Sequence, residues 1–243
     1  MQPPTDGPTF PRTPDRLSAL HEDPFGPELG SVPDRQSVDR DAIDELKTGT
    51  TTIGLATEDG AVLATDQQAS LGSMVSSKTT QKVEAVHPTG AITIAGSVSA
   101  AQSLIRTLRA EVNLYEARRG EQMSMTALST LLSNLLGSGG FLIVAPILGG
   151  VDHEGAHIYS FDPLGSMMEE KYTVSGSGSQ FALGVLEQEY DDSLSVEEAR
   201  VVAATALNSA TERDTGTGYG MHIAEVTADG VEIDQYDEIA DAL

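Results

Sequence analysis

Twice along this chain a group of short strand-like runs gives way to two consecutive helical periods. That order constrains the fold more than any other feature. Residues 51–57 and 61–65 are strand-length apolar runs joined by Glu58-Asp59-Gly60, and 82–86 and 91–95 are two more, around His87-Pro88-Thr89-Gly90; Asp-Gly and Pro-containing turns between such runs mark hairpins. Leu104, Leu108, Val112 and Tyr115 then recur at helical spacing between a cap at Ser97 or Ser99 and a stop at Gly120. Ser124 opens a second helix that ends near Leu136, with Leu128, Leu131, Leu132 and Leu135 on its inward face. The cycle repeats: strands at 141–148, 156–161 and 171–175, a helix at 180–189, and a helix from the capping box Ser195-Val196-Glu197-Glu198 to about residue 212. A hairpin of 221–227 and 231–236 closes the chain, and residues 67–79 read as a loop. Strict βαβ alternation is absent, which disfavours a doubly wound parallel sheet. The order predicts an α+β fold: a four-layer αββα sandwich in which two antiparallel sheets face each other between helical layers.

Upstream of the first strand the composition changes abruptly. Residues 1–49 hold eight of the eleven prolines and mixed charge runs such as Asp39-Arg40-Asp41. Such a segment buries too little apolar surface to offset its ordering entropy, so 1–49 reads as a mobile leader with one short helical turn near 41–46, and 50–243 as the folded domain. The border is Thr48-Gly49-Thr50-Thr51. Cutting Gly49–Thr50 would leave a hydroxyl and a free α-amine on Thr50, and such an amine, with a pKa of about 7.7–8.0, can take the hydroxyl proton. A plain linker leading into a β-strand is the other reading of this stretch.

Charge and composition exclude several classes. The formal charge is −23, from 37 acidic and 14 basic residues. Such a surface repels phosphate backbones and argues against nucleic-acid partners. Self-repulsion of this size is tolerated most easily in concentrated salt, pointing to a halophilic cytoplasm. No apolar run is long enough to span a membrane, and no secretory pattern opens the chain. With no cysteine, thiolate metal sites and Cys nucleophiles are excluded. The five histidines are scattered, and Gly176-Ser177-Gly178-Ser179 lacks the Lys-Ser/Thr of a phosphate loop; neither a metal nor a cofactor is expected. Only four lysines are present, which makes Lys82, inside an apolar-leaning stretch, a candidate for a specific task.

Taken together, six motifs in order identify a resemblance. Gly49-Thr50-Thr51-Thr52-Ile53-Gly54, Ala64-Thr65-Asp66, Gln81-Lys82-Val83, Ile94-Ala95-Gly96-Ser97, Gly176-Ser177-Gly178-Ser179 and Arg213-Asp214-Thr215-Gly216-Thr217-Gly218 resemble the motifs of archaeal-type 20S proteasome β subunits, which are N-terminal-nucleophile hydrolases. The resemblance runs from Gly49 to about Asp237. It implies a propeptide that the subunit removes itself, Thr50 as nucleophile, Lys82 and Asp66 as the pair that tunes it, and Gly96 as oxyanion donor. Ser177, Asp214 and Thr217 would orient the new α-amine. Ala69, Ile94 and Val98 would line the substrate pocket and favour cleavage after hydrophobic residues. Two positions depart from the family pattern: Gln68 stands where an Arg is frequent, and Thr217 where a Ser is usual. The implied partners are heptameric β rings stacked between α rings, a regulatory ATPase acting through the α ring, and unfolded protein substrates. The helix pair 97–136 is an expected ring contact. A bacterial two-component ATP-dependent peptidase subunit and a non-catalytic ring subunit are the alternatives.

Overall fold

The alternation in β2 (Ala61–Asp66) shows how the molecule is layered. Ala61 and Leu63 point into a cluster with Val83, Ala91, Ile147 and Ile158, which lies between two sheets. Val62 and Ala64 point the opposite way, against Ala199, Ala203 and Leu207 of a helix. A strand buried on both faces in this manner has no solvated side, as expected for the inner layer of a sandwich. The computed structural model describes residues 49–141 and 143–243; the expected leader, apart from Gly49, and the helical turn expected near 41–46 lie outside the described residues.

The first sheet runs in the order β10 (Tyr172–Gly176), β1 (Thr51–Ala56), β2, β11 (Met221–Thr227), β12 (Gly230–Tyr236), with every neighbouring pair antiparallel. The second runs β5 (Val83–His87), β6 (Gly90–Gly96), β7 (Val144–Asp152), β8 (Gly155–Phe161), β9 (Met167–Glu170), again antiparallel throughout. Helices α1 (Val98–Arg119) and α2 (Met125–Leu135) cover the second sheet through Leu104, Leu108, Leu128 and Leu132. Helices α3 (Ser179–Glu189) and α4 (Val196–Thr211) cover the first through Ala182, Leu186, Ala203 and Leu207. The four-layer αββα sandwich of the sequence reading is therefore present, with its helix pairs outermost.

Capping chemistry sets the helix ends. Ser124 accepts the Ala127 amide, and Ser195 and Glu198 form the reciprocal capping box. Gly120 ends α1 in the left-handed conformation. Ser97 occupies the α1 cap position, but its hydroxyl meets Ser99 Oγ at 3.2 Å instead of a backbone amide.

Three elements differ from expectation. Residues 67–79 contain a small hairpin, β3 (Ala69–Leu71) with β4 (Met74–Ser77), whose Leu71, Met74 and Val75 are exposed, so it shows no burial alternation to read. The run 141–148 does not form one strand. Phe141 is buried in the helical layer, and β7 continues instead through Gly149 and Gly150, which pair with Ala91 and Gly90 on one side and Ile158 and His157 on the other. The wholly exposed β9 lacks an apolar face and carries no periodic signal.

Candidate active site

Strand register delivers the site residues. Antiparallel pairing sets Thr52 opposite Thr65, which brings Asp66 beside Thr51, and Thr51 opposite Gly176, which brings Ser177 beside Thr50. Lys82 arrives from the other sheet, where its carbonyl accepts the Ile94 amide at 2.9 Å.

Lys82 Nζ donates to Asp66 Oδ1 at 2.6 Å, to the Gln68 carbonyl at 2.7 Å and to Thr50 Oγ1 at 3.0 Å. All three directions of the ammonium are thereby used. Asp66 is fully buried and also accepts the amides of Thr51 at 3.1 Å and of Gln68 and Gly218 at 3.0 Å each. Burial pushes its carboxyl above the ordinary value, against the pull of the Lys82 ammonium and the Thr51 and Gly218 amides. Burial likewise lowers the pKa of Lys82, while Asp66 and more weakly Asp214 act to raise it. Lys82 therefore holds its proton less firmly than a surface lysine does.

A second set of contacts meets Thr50 from the other side. The Ser177 amide donates to the Thr50 carbonyl at 2.8 Å, and Thr50 N donates to Ser177 Oγ at 3.3 Å. Ser177 Oγ in turn donates to Asp214 Oδ2 at 2.6 Å, and Thr217 Oγ1 donates to the same oxygen. Thr51 and Thr217 join their hydroxyls at 2.8 Å. The Thr50 hydroxyl itself donates to the carbonyl oxygen of Gly49 at 2.5 Å, the residue across the bond whose cleavage is expected. Gly49 lies so close to the 214–218 turn that a Cβ on it would sit 2.1 Å from Gly216 Cα. A side chain at position 49 would displace that bond.

Thr50, Asp66, Lys82, Ser177, Asp214 and Thr217 thus share one hydrogen-bond network. Gly96 ends β6, with φ 124°, and a Cβ there would lie 1.9 Å from the Ile143 carbonyl oxygen, so the position admits only glycine. Of the pocket candidates, Ala69 follows Gln68 at the start of β3, Ile94 is buried on β6, and Val98 is exposed at the start of α1.

Sequence reasoning missed Gln67, and marked Gln68 only as a departure that left open how the 67–79 segment is held. Gln67 Nε2 donates to the carbonyls of Met221 at 3.1 Å and Tyr236 at 3.0 Å. Gln68 Nε2 donates to Ser70 Oγ and to the Thr215 carbonyl, both at 2.9 Å. The departure at position 68 therefore leaves the 67–79 segment tied to the 214–218 turn. The usable signal was a pair of amide side chains directly after the buried carboxylate. Away from this site, ligand atoms of Asp152, Glu154 and His157 lie within 4.8 Å of one another. Asp152 spends its oxygens on the Met125 and Glu154 amides and on His157.

A family model described as "Proteasome subunit" matches residues 46–226. The chain is 65% identical to the proteasome subunit beta of Haloquadratum walsbyi over 226 residues, 93% of each chain. It is 64% identical to that of Haloferax volcanii, over 91% of this chain and 92% of the relative, and 53% identical to proteasome subunit beta 1 of Haloterrigena turkmenica over the whole of both. The chain belongs to the proteasome β-subunit family. It is of the archaeal type found in haloarchaea. As a β subunit it is a component of the proteasome core, a peptidase complex, and its sandwich is the N-terminal-nucleophile hydrolase fold. Among the described residues no helix is long and apolar enough to cross a membrane.

Proposed function

We propose that this β subunit is a threonine-type endopeptidase that frees its own nucleophile by cutting Gly49–Thr50. The observation that carries the reading is the position of Thr50 Oγ1, 3.0 Å from Lys82 Nζ and 2.5 Å from the Gly49 carbonyl oxygen. Attack by Oγ1 on the Gly49 carbonyl carbon closes a five-membered ring, a short intramolecular path. The C–N bond then breaks, the hydroxyl proton ends on the Thr50 nitrogen, and water hydrolyses the resulting ester to release residues 1–49. Until then Thr50 has no free amine, so the precursor is inactive.

In the processed subunit the α-amine takes the hydroxyl proton as Oγ1 attacks a substrate carbonyl. Lys82, held by Asp66, lowers the proton affinity of the hydroxyl. The Gly96 amide stabilises the oxyanion. Ser177, Asp214 and Thr217 orient the amine, which then protonates the departing amino group before water cleaves the acyl-enzyme ester. Ala69, Ile94 and Val98 form a small, apolar pocket and favour hydrophobic residues before the cut bond. The subunit acts on unfolded proteins in the cytoplasm, within heptameric β rings between α rings. The helix pair α1–α2 is a ring contact, and a regulatory ATPase feeds substrate through the α ring.

Peptide hydrolysis by the assembled core tests this. Wild type should cleave after hydrophobic residues in preference to Lys or Arg, and a Thr50→Ala core should be inactive. Equal turnover by the Thr50→Ala core, or cleavage after basic residues alone, would refute the assignment.

A further inference from the structure

Gly218 gives its amide to Asp66 Oδ2 at 3.0 Å, while its carbonyl accepts the Gln67 amide at 3.2 Å. Both groups face the β2 end, so the turn that carries Gly218 must approach in one orientation. The residue that sets the next bend is Tyr219, with φ 63°, the one non-glycine residue with positive φ among the described residues. A bulky L-residue rarely adopts this conformation, and one that does is held there by its surroundings.

Those surroundings are visible. Gly220 follows, also left-handed at φ 84°, and a Cβ on it would lie 2.3 Å from the Tyr236 carbonyl oxygen. Met221 then enters β11 opposite Asp66 and Tyr236. Two consecutive left-handed residues thus turn the chain from the Asp214–Gly218 segment into the sheet. The Tyr219 ring, partly exposed, lies beneath Lys78, whose Nζ is 4.5 Å from the ring centroid. Lys78 belongs to the connection that leads from β4 to Lys82.

We propose that Tyr219 is a positioning residue for catalysis: its left-handed backbone aims the Gly218 amide at Asp66. Glycine would meet the same backbone requirement without strain. The inference rests on the reading that Asp66 and Lys82 tune Thr50.

The test is a substitution series at position 219 in the assembled core, made from the full chain with its α partner in high salt, with turnover counted per processed Thr50. Left-handed tolerance predicts the order: Tyr219→Gly and Tyr219→Asn keep kcat within about two-fold of wild type, Tyr219→Ala falls, and Tyr219→Val falls furthest. The Val variant should lose about ten-fold or more in kcat with KM nearly unchanged, the scale set by one hydrogen bond to a charged group. Its pH profile should shift as Asp66 loses an amide. If the Val core fails to assemble, Asn against Ala carries the same comparison. A kcat that follows side-chain size or aromaticity, or that is the same for Asn and Ala, overturns the proposal. A Thr50→Ala core that still hydrolyses peptide would instead remove the reading beneath it, whatever the series shows.

Discussion

At the scale of single residues, Gln68 does work that neither its charge nor its size announces. Its carbonyl takes one of the three Lys82 hydrogen bonds, its amide binds Asp66, and its side chain reaches Ser70 and the Thr215 carbonyl. Replacing it with Ala keeps the two backbone contacts and removes the two side-chain ones. The expected result is a loss of about 0.5–1.5 kcal/mol in stability, the net worth of a typical hydrogen bond, since both contacts are only part-buried, with a few-fold drop in peptide turnover. Gln68→Arg, which restores a long donor, should recover most of the turnover. Thermal unfolding and peptide hydrolysis of both variants check this; an Ala variant indistinguishable from wild type would mean that the 67–79 segment is held elsewhere.

At the scale of elements, His157 fastens one end of the second sheet. From β8 it meets Glu169 of β9 at 2.7 Å and Asp152 of β7 at 3.1 Å, and Asp152 Oδ2 accepts the Met125 amide at the start of α2. Burial works to lower the pKa of His157, but hydrogen bonds to Glu169 and Asp152 outweigh it and the net shift is upward. A raised folded-state value means the stabilisation is full below the unfolded value of about 6.5 and is lost as pH rises through the folded value. The stability gap between wild type and His157→Gln should therefore shrink as pH climbs through that window, measured by unfolding at fixed salt; a gap independent of pH would contradict the charged contact.

This element was only partly legible in advance. Helices α1, α2 and α4 could be read because caps and a 3.6-residue apolar period act locally. Strands β1, β2 and β11 could be read from their turns. The hairpin β3–β4 and strand β9 could not, because neither buries a regular face and their pairing comes from partners distant in sequence. The site followed the same division. Thr50, Asp66 and Lys82 stood out by residue type and motif. The Thr51–Thr217 hydroxyl pair, the Gln68 tie and the left-handed Tyr219 arise only once β1, β2 and β11 come into register.

At the scale of the whole molecule, charge and assembly govern behaviour. The full chain carries a net charge of −23, which repels itself at low ionic strength. At 1 M salt the Debye length is about 3 Å and that repulsion is largely screened. The melting temperature should therefore rise from low salt to molar KCl, and a fall over the same range would contradict a halophilic design. The proposed activation turns on one bond, Gly49–Thr50, which lies just before β1. The intact mass of the subunit in cores purified from its native host, wild type beside Thr50→Ala, tests the central claim most directly. A wild-type chain that starts at Thr50, with a variant that keeps residues 1–49, is the predicted result; a leader retained in both, or lost from both, would contradict self-cleavage by Thr50.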